Sequence, residues 1–379
     1  MILEKELLTY RGKSEQIIFG ITELILNLMN IRTMKKFLIL SVVLCLCAGL
    51  PAESVAQGEL YTVPTGTITA SDPFVLADPA DNTYYLYSTG GRGRIMARAS
   101  KDLRLWTEPF TVMEFPASHW AGSNAPSWAT EVIPYKGKYY LFTTSHNLDE
   151  IVESIPGRYD IPRRATQIYV SDSPRGPFVD FTNNQQHTPL DWAALDGTLW
   201  VEDGVPYMIF CHEWLQTIDG TMDAVRLPDD LGVPTEEPFL LFRASDAPWT
   251  KELRDMGGLT NGLLIPGWVT DGCWLFRTQT GRLGMLWSSW GTEYRYALGV
   301  SYSESGKLAG PWVHEEKPIF EANGGHGMLF RTFDGKLMIS FHWVNPLETR
   351  ASRRPAFLEM DDSGDRLVFK KEPASLVIY

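Results

Sequence analysis

An all-β chain folded as a five-bladed β-propeller is the architecture this sequence predicts, and three features carry the prediction. Long amphipathic helical patterns are scarce, and short β-branched and aromatic runs broken by Gly, Asp, Asn and Pro take their place. One strand-after-turn pattern recurs five times along the chain. A polar signature lies about a dozen residues before the central residue of each copy. A pair of stacked β-sandwiches would use similar strands but gives no reason for the repetition.

The recurring segments are DNTYYLYST (81–89), YKGKYYLFTTS (135–145), EDGVPYMIFCHE (202–213), TGRLGMLWSS (280–289) and FDGKLMISFHW (333–343). Their central residues, Tyr85, Tyr140, Met208, Met285 and Met338, are 55, 68, 77 and 53 residues apart. That spacing accommodates about four strands per unit. RIMARAS (94–100), QIYVSDS (167–173) and LGVSYSES (298–305) read as third strands, each leading to a turn and an aromatic residue. The C-terminal stretch RRPAFLEMDDSGDRLVF (353–369) reads as an outer hairpin completing the last blade, and residues 59–70 as a further strand of that blade. Residues 148–165 read as a loop inserted between blade-two strands, either shaping the rim of a pocket or lying as a solvated charged loop.

The signatures SDPF (71–74), WATEV (128–132), LDGTLW (195–200), TDGCWLF (270–276) and GGHGMLF (324–330) fall on the first strand of each unit. First strands line the axis of a propeller, so Asp72, Glu131, Asp196, Asp271 and His326 are expected to meet at one face. Glu213 and His342 close second strands, and antiparallel pairing returns those ends to the same face. Taken singly, Asp-Pro at 72 and Asp-Gly at 196 and 271 are ordinary turn signals; their repeat-aligned placement gives them weight.

The chain has 379 residues and a formal charge of −12, which disfavours non-specific binding to nucleic acid or anionic membrane. Thirteen Trp and fifteen Tyr supply aromatic faces that suit sugar rings as well as cores. Residues 34–57, MKKFLILSVVLCLCAGLPAESVAQ, have a basic start, an apolar centre and small residues at 54 and 56, the pattern of an export signal spanning 34–56. Residues 1–33 then read as an upstream extension or a mis-called start, and 59–379 as a single propeller domain. The mature chain is expected to be periplasmic or secreted, without a membrane span, and monomeric. Only Cys211 and Cys273 follow the signal; they are free to pair in an oxidising compartment but form no disulfide framework and no zinc motif.

The DPF entry with YYLY, the WATEV and GKYYLF unit, the LDGTLW and DGVPY unit and the late GHGMLF and DGKL unit, in this order, resemble glycoside hydrolase family 43 over residues 65–350. The resemblance implies a five-bladed propeller and inverting hydrolysis of terminal linkages in plant cell-wall polysaccharide. An α-L-arabinofuranosidase is foremost, with β-xylosidase, β-galactosidase or an inactive carbohydrate-binding propeller as alternatives. It implies Asp72 as general base and Asp196 as the residue that modulates the acid's pKa. The family's general acid is a Glu at the start of blade four, where this chain has Asp271, one methylene shorter. The acid is therefore Asp271 in a reshaped pocket or Glu213 from a neighbouring position, or the site is weak or dead. Trp128 and Trp214 are the candidates for stacking on a sugar, Glu131 and His326 for further substrate contacts, and Arg295 for a hydroxyl or a surface ion pair. No cofactor is required; the resemblance allows a structural calcium near the axis.

Overall fold

The computed structural model describes residues 60–155, 160–253, 266–344, 352–371 and 373. The upstream extension and export signal lie outside them. The described chain is five antiparallel sheets arranged as a five-bladed β-propeller.

Blade one holds β1 (Val63–Pro64), β2 (Ser71–Asp78), β3 (Thr83–Thr89), β4 (Arg94–Ser100), β5 (Leu105–Trp106) and β6 (Phe110–Glu114). Blade two holds β7 (Trp128–Tyr135), β8 (Lys138–Ser154) and β9 (Asp160–Ser171). Blade three holds β10 (Ala194–Glu202), β11 (Val205–His212), β12 (Thr221–Arg226) and β13 (Phe239–Arg243). Blade four holds β14 (Asp271–Arg277), β15 (Leu283–Trp290), β16 (Tyr296–Ser303) and β17 (Trp312–His314). Blade five holds β18 (Gly324–Arg331), β19 (Leu337–Val344), β20 (Arg353–Asp361) and β21 (Val368–Phe369).

The continuous apolar character of the second strands follows from burial on both faces. In β15 the run Leu283–Ser289 is buried throughout, because each middle strand is sandwiched between neighbouring blades. The cores lie between successive blades. Val132, Leu141 and Tyr169 of blade two pack with blade one, and Phe210 and Met208 of blade three with Phe142 and Ile168 of blade two. Trp287 and Met285 of blade four pack with Ile209 and Met222, and Phe341 and Ile339 of blade five with Leu286 and Leu298. Met328 and Phe330 of blade five close the ring against blade one.

Two expectations are corrected. The described part of the 59–70 segment, from residue 60, does not add a strand to the last blade: β1 pairs with β5 inside blade one, and the segment is tied to blade five by hydrogen bonds from the Ala70 N–H to the Arg353 carbonyl at 2.9 Å and from Arg354 Nη1 to the Ile68 carbonyl at 3.5 Å. Residues 148–165 are not a simple loop either. β8 and β9 continue their pairing past the blade to Ser154 and Asp160, forming an arm. Its Ile161, with Val152 and Ile155, packs on Trp214 and Leu215 of blade three, which gives the arm an apolar reason to be ordered. The 353–369 hairpin is found as expected, as β20 and β21.

The same irregularity recurs in every first strand. Pairing with the second strand breaks between Ser71 and Phe74, Trp128 and Glu131, Leu195 and Thr198, Asp271 and Trp274, and Gly325 and Met328. Each break is a β-bulge whose second residue is left-handed: Asp72 (φ 51°), Ala129 (44°), Asp196 (58°), Gly272 (47°) and His326 (55°). Left-handed backbone at four non-glycine residues is strained, and such strain gathers where side chains must be aimed.

Candidate active site

The bulges carry the site. Asp72, Asp196 and His326 occupy equivalent left-handed positions of blades one, three and five, so their side chains converge at the axis. Asp271 is one position earlier, equivalent to Ser71, Trp128, Leu195 and Gly325, because Gly272 takes the left-handed place in blade four. Asp271 nevertheless reaches the cluster. His326 Nδ1 lies 3.4 Å from Asp72 Oδ1, 3.8 Å from Asp196 Oδ2 and 3.8 Å from Asp271 Oδ1.

Glu131 does not join them. It is equivalent to Phe74, Thr198, Trp274 and Met328, two residues beyond the left-handed position. Its carboxyl is buried and accepts a hydrogen bond from Thr198 Oγ1 at 2.6 Å. Burial pushes it up to about 8 against that hydrogen bond, so it is a neutral acid below the pocket and not a lining residue.

A ring of hydrogen bonds fixes the bulges. Thr89, Thr144, Cys211, Ser288 and His342 are the second-strand residues that pair with the start of each bulge. In four cases that side chain accepts the bulge N–H of the next blade. Ala129 donates to Thr89 Oγ1 (2.7 Å), Asp196 to Thr144 Oγ1 (2.8 Å), His326 to Ser288 Oγ (2.8 Å) and Asp72 to His342 Nδ1 (3.1 Å). Blade three has Cys211 at this place, a weak acceptor, and Asp196 Oδ2 accepts the Gly272 N–H instead at 3.1 Å. Cys211 and Cys273 are buried free thiols, and Cys273 Sγ donates to the Asp196 carbonyl at 3.3 Å.

The cavity above this ring has a volume of about 400 Å³, of the size that holds one or a few sugar units. Asp72, Thr89, Asp196 and Asp271 line its base, and Trp128, Arg164, Glu213, Trp214, Trp290, Tyr296 and Arg353 line its walls. Glu213 follows β11 and opens a one-turn helix, α1 (Trp214–Thr217), which sets Trp214 beside it. Arg164, from the arm, donates to Glu213 Oε2. The same guanidinium lies 4.8 Å from the Trp128 ring, and His146 meets the ring edge-on at 4.5 Å. Tyr296 OH donates to Asp271 Oδ2 at 2.5 Å, and its ring stacks on His342 with 5.4 Å between centroids.

Burial acts on every carboxyl here, and the neighbours decide the outcome. Asp72 would be raised by burial, but its polar neighbours, His326 foremost and the Thr89 hydroxyl with it, hold the carboxyl below the usual range. Asp196 is driven well above that range by burial, with the Asp271 charge acting in the same direction. Glu213 is raised by burial; Arg164 opposes the shift and Asp271 adds to it. One pocket therefore holds a carboxylate kept ionised and a carboxylic acid kept protonated, the pairing that glycosidic cleavage by inversion requires.

Asp196, Asp271 and His326 also offer ligand atoms within 4.8 Å of one another. Calcium takes six to eight oxygens and seldom an imidazole, so this donor set fits the expected calcium poorly, and no step is assigned to a cation.

A propeller with opposed carboxylates in a sugar-sized axial pocket has the makings of a glycoside-cleaving enzyme. The sequence agrees, since the model of Glycosyl hydrolases family 43 matches residues 61–361. The chain belongs to that family and is a glycoside hydrolase. Among solved structures it is similar to the endo-arabinase from Bacteroides thetaiotaomicron VPI-5482, with 38% identity and a TM-score of 0.68 over 79% of this chain and 96% of that one. A thermostable family-43 glycoside hydrolase shares the fold at 22% identity and a TM-score of 0.63, covering 82% of this chain and 96% of that one. Among curated proteins, the probable arabinan endo-1,5-alpha-L-arabinosidase C of Aspergillus niger is 33% identical over 112 residues. That stretch is 29% of this chain and 33% of the relative, so the match spans about a third of its length.

The structure brings Asp72, Asp196, Asp271, Glu213, Trp128, Trp214 and His326 together. Arg295 is instead exposed and paired with Glu293 at 2.8 Å. Sequence reasoning missed Thr89, Arg164, Tyr296 and Arg353. Thr89 ends a recognised second strand, and its register with Ser71 was a usable signal; Arg164 lies in the insertion read as a loop able to shape the pocket rim, but nothing in the sequence singled it out within that segment. No helix among the described residues is long and apolar enough to cross a membrane.

Proposed function

We propose that this protein is an exported, inverting glycosidase that cleaves α-L-arabinofuranosyl linkages of plant cell-wall polysaccharide, with Asp72 as base and Glu213 as acid. One observation carries the assignment of the acid. Asp271 shares the His326 ring nitrogen with Asp72 and is tied down by Tyr296, whereas Glu213 stands on the Arg164 and Trp128 wall. Inversion needs acid and base ~6.5–9.5 Å apart, with a water between base and sugar, and a group crowded onto the base's own imidazole is badly placed for the leaving oxygen.

In this reading Asp72 accepts a proton from water as the oxygen attacks the anomeric carbon. The glycosidic C–O bond breaks, and Glu213 passes its proton to the departing oxygen. Burial holds the proton on Asp196, and the neighbouring Asp271 acts in the same direction as burial on both Asp196 and Glu213, favouring their protonated forms. Trp128, Trp214 and Trp290 offer apolar faces to the sugar. The arabinan-acting names of the Bacteroides and Aspergillus relatives support the choice of sugar.

The test is turnover of aryl α-L-arabinofuranosides and arabinan oligosaccharides by wild type, Asp72→Asn, Glu213→Gln and Asp271→Asn. Asp72→Asn should fall to trace turnover on all, about a thousandfold or more below wild type. Glu213→Gln should lose the oligosaccharides but retain turnover of aryl glycosides with acidic leaving groups, which need no proton. That signature in Asp271→Asn instead would make Asp271 the acid.

A further inference from the structure

We propose that Thr89 is the positioning residue of the base: its hydroxyl clamps one oxygen of Asp72 and is itself aimed by the backbone of the next blade. The inference rests on the reading of Asp72 as base. Thr89 lies at the end of β3, lines the cavity, and belongs to the ring of second-strand side chains that holds the bulges.

The direction of its proton is fixed by counting. A threonine hydroxyl has one proton to give and two lone pairs. The Ala129 N–H donates to Thr89 Oγ1 at 2.7 Å and uses a lone pair. The single proton is then directed to Asp72 Oδ2, the other partner of Oγ1. Ala129 is itself left-handed (φ 44°), so the blade-two bulge accepts strain to present its N–H to Thr89. Thr144 and Ser288 stand at equivalent ring places and accept the N–H groups of Asp196 and His326. Among these three hydroxyls of the described residues, Thr89 is the one that also reaches a site carboxylate.

The clamp has two consequences. It holds one carboxylate oxygen, so the other lone pairs of Asp72 are presented to the pocket in a fixed direction. It also stabilises the ionised form, as a hydrogen bond to a carboxylate does. The β-branch of threonine restricts χ1 and keeps the hydroxyl on that line.

The experiment measures kcat and KM for Thr89→Val and Thr89→Ser, each in the wild-type and Asp72→Asn backgrounds, with folding checked by thermal melts. Valine keeps the shape and removes donor and acceptor; serine keeps both. Thr89→Val should lower kcat about tenfold to a hundredfold with little change in KM, and Thr89→Ser should recover most of it. In the residual turnover of Asp72→Asn, adding Thr89→Val should cost nothing further, because the group it serves is gone. If valine does not fold, Thr89→Ala is read by the same criteria. The proposal is overturned if Thr89→Val keeps kcat within about twofold, if serine loses as much as valine, or if the valine loss persists undiminished in Asp72→Asn. Full turnover by Asp72→Asn alone would instead reject the reading of Asp72, a separate result from the same set.

Discussion

Asp196 accepts the Gly272 N–H through Oδ2 at 3.1 Å, the one place in the ring where a first-strand carboxylate does what a second-strand side chain does elsewhere. Gly272 is left-handed, and a Cβ there would lie 2.7 Å from Cγ of His326. Side chain and backbone thus both demand glycine at the point where blades three, four and five meet.

Gly272→Ala should therefore destabilise by about 1–3 kcal/mol and displace the His326 ring from the carboxylates. Denaturant melts and kcat should both respond. A variant with wild-type stability and kcat would mean that the ring has room to move aside.

Arg164 opposes the burial that keeps Glu213 protonated. Arg164→Gln should raise the Glu213 pKa further and carry the alkaline limb of kcat/KM upward with it. The pH profile is the check, since a merely structural loss would lower the whole profile without moving its limb.

Glu131 titrates at about 8 in the fold against an ordinary 4.5. Between those values the folded protein keeps a proton that the unfolded chain has lost. Its contribution to stability is full below about pH 4.5 and is lost as pH rises to about 8. Glu131→Gln should flatten this slope and gain stability relative to wild type at the alkaline end. Urea midpoints across the interval decide it; parallel slopes for the two proteins would show that Glu131 does not carry the dependence.

The fold was legible because the repeat is written in apolar second strands such as those around Tyr85 and Met285, whose burial on both faces leaves little freedom of composition. Asp72, Asp196 and His326 were legible for a related reason: each sits at the same bulge, so aligning repeats aligns geometry. Asp271 and Glu131 showed the limit. One lies a residue before the left-handed position and the other two beyond it, and a bulge turns such small offsets into a different direction or depth. Arg164 was out of reach because its place depends on β8 and β9 pairing beyond the blade and on Ile161 packing against Trp214, contacts distant in sequence.

The central claim is inverting cleavage of an α-L-arabinofuranosyl bond in this pocket. NMR of the first sugar formed from an arabinan oligosaccharide, recorded before mutarotation, tests it most directly. The account predicts the β-anomer from wild type and at most a trace of sugar from Asp72→Asn on the same timescale. First release of the α-anomer, or the same product at full rate from Asp72→Asn, would contradict it.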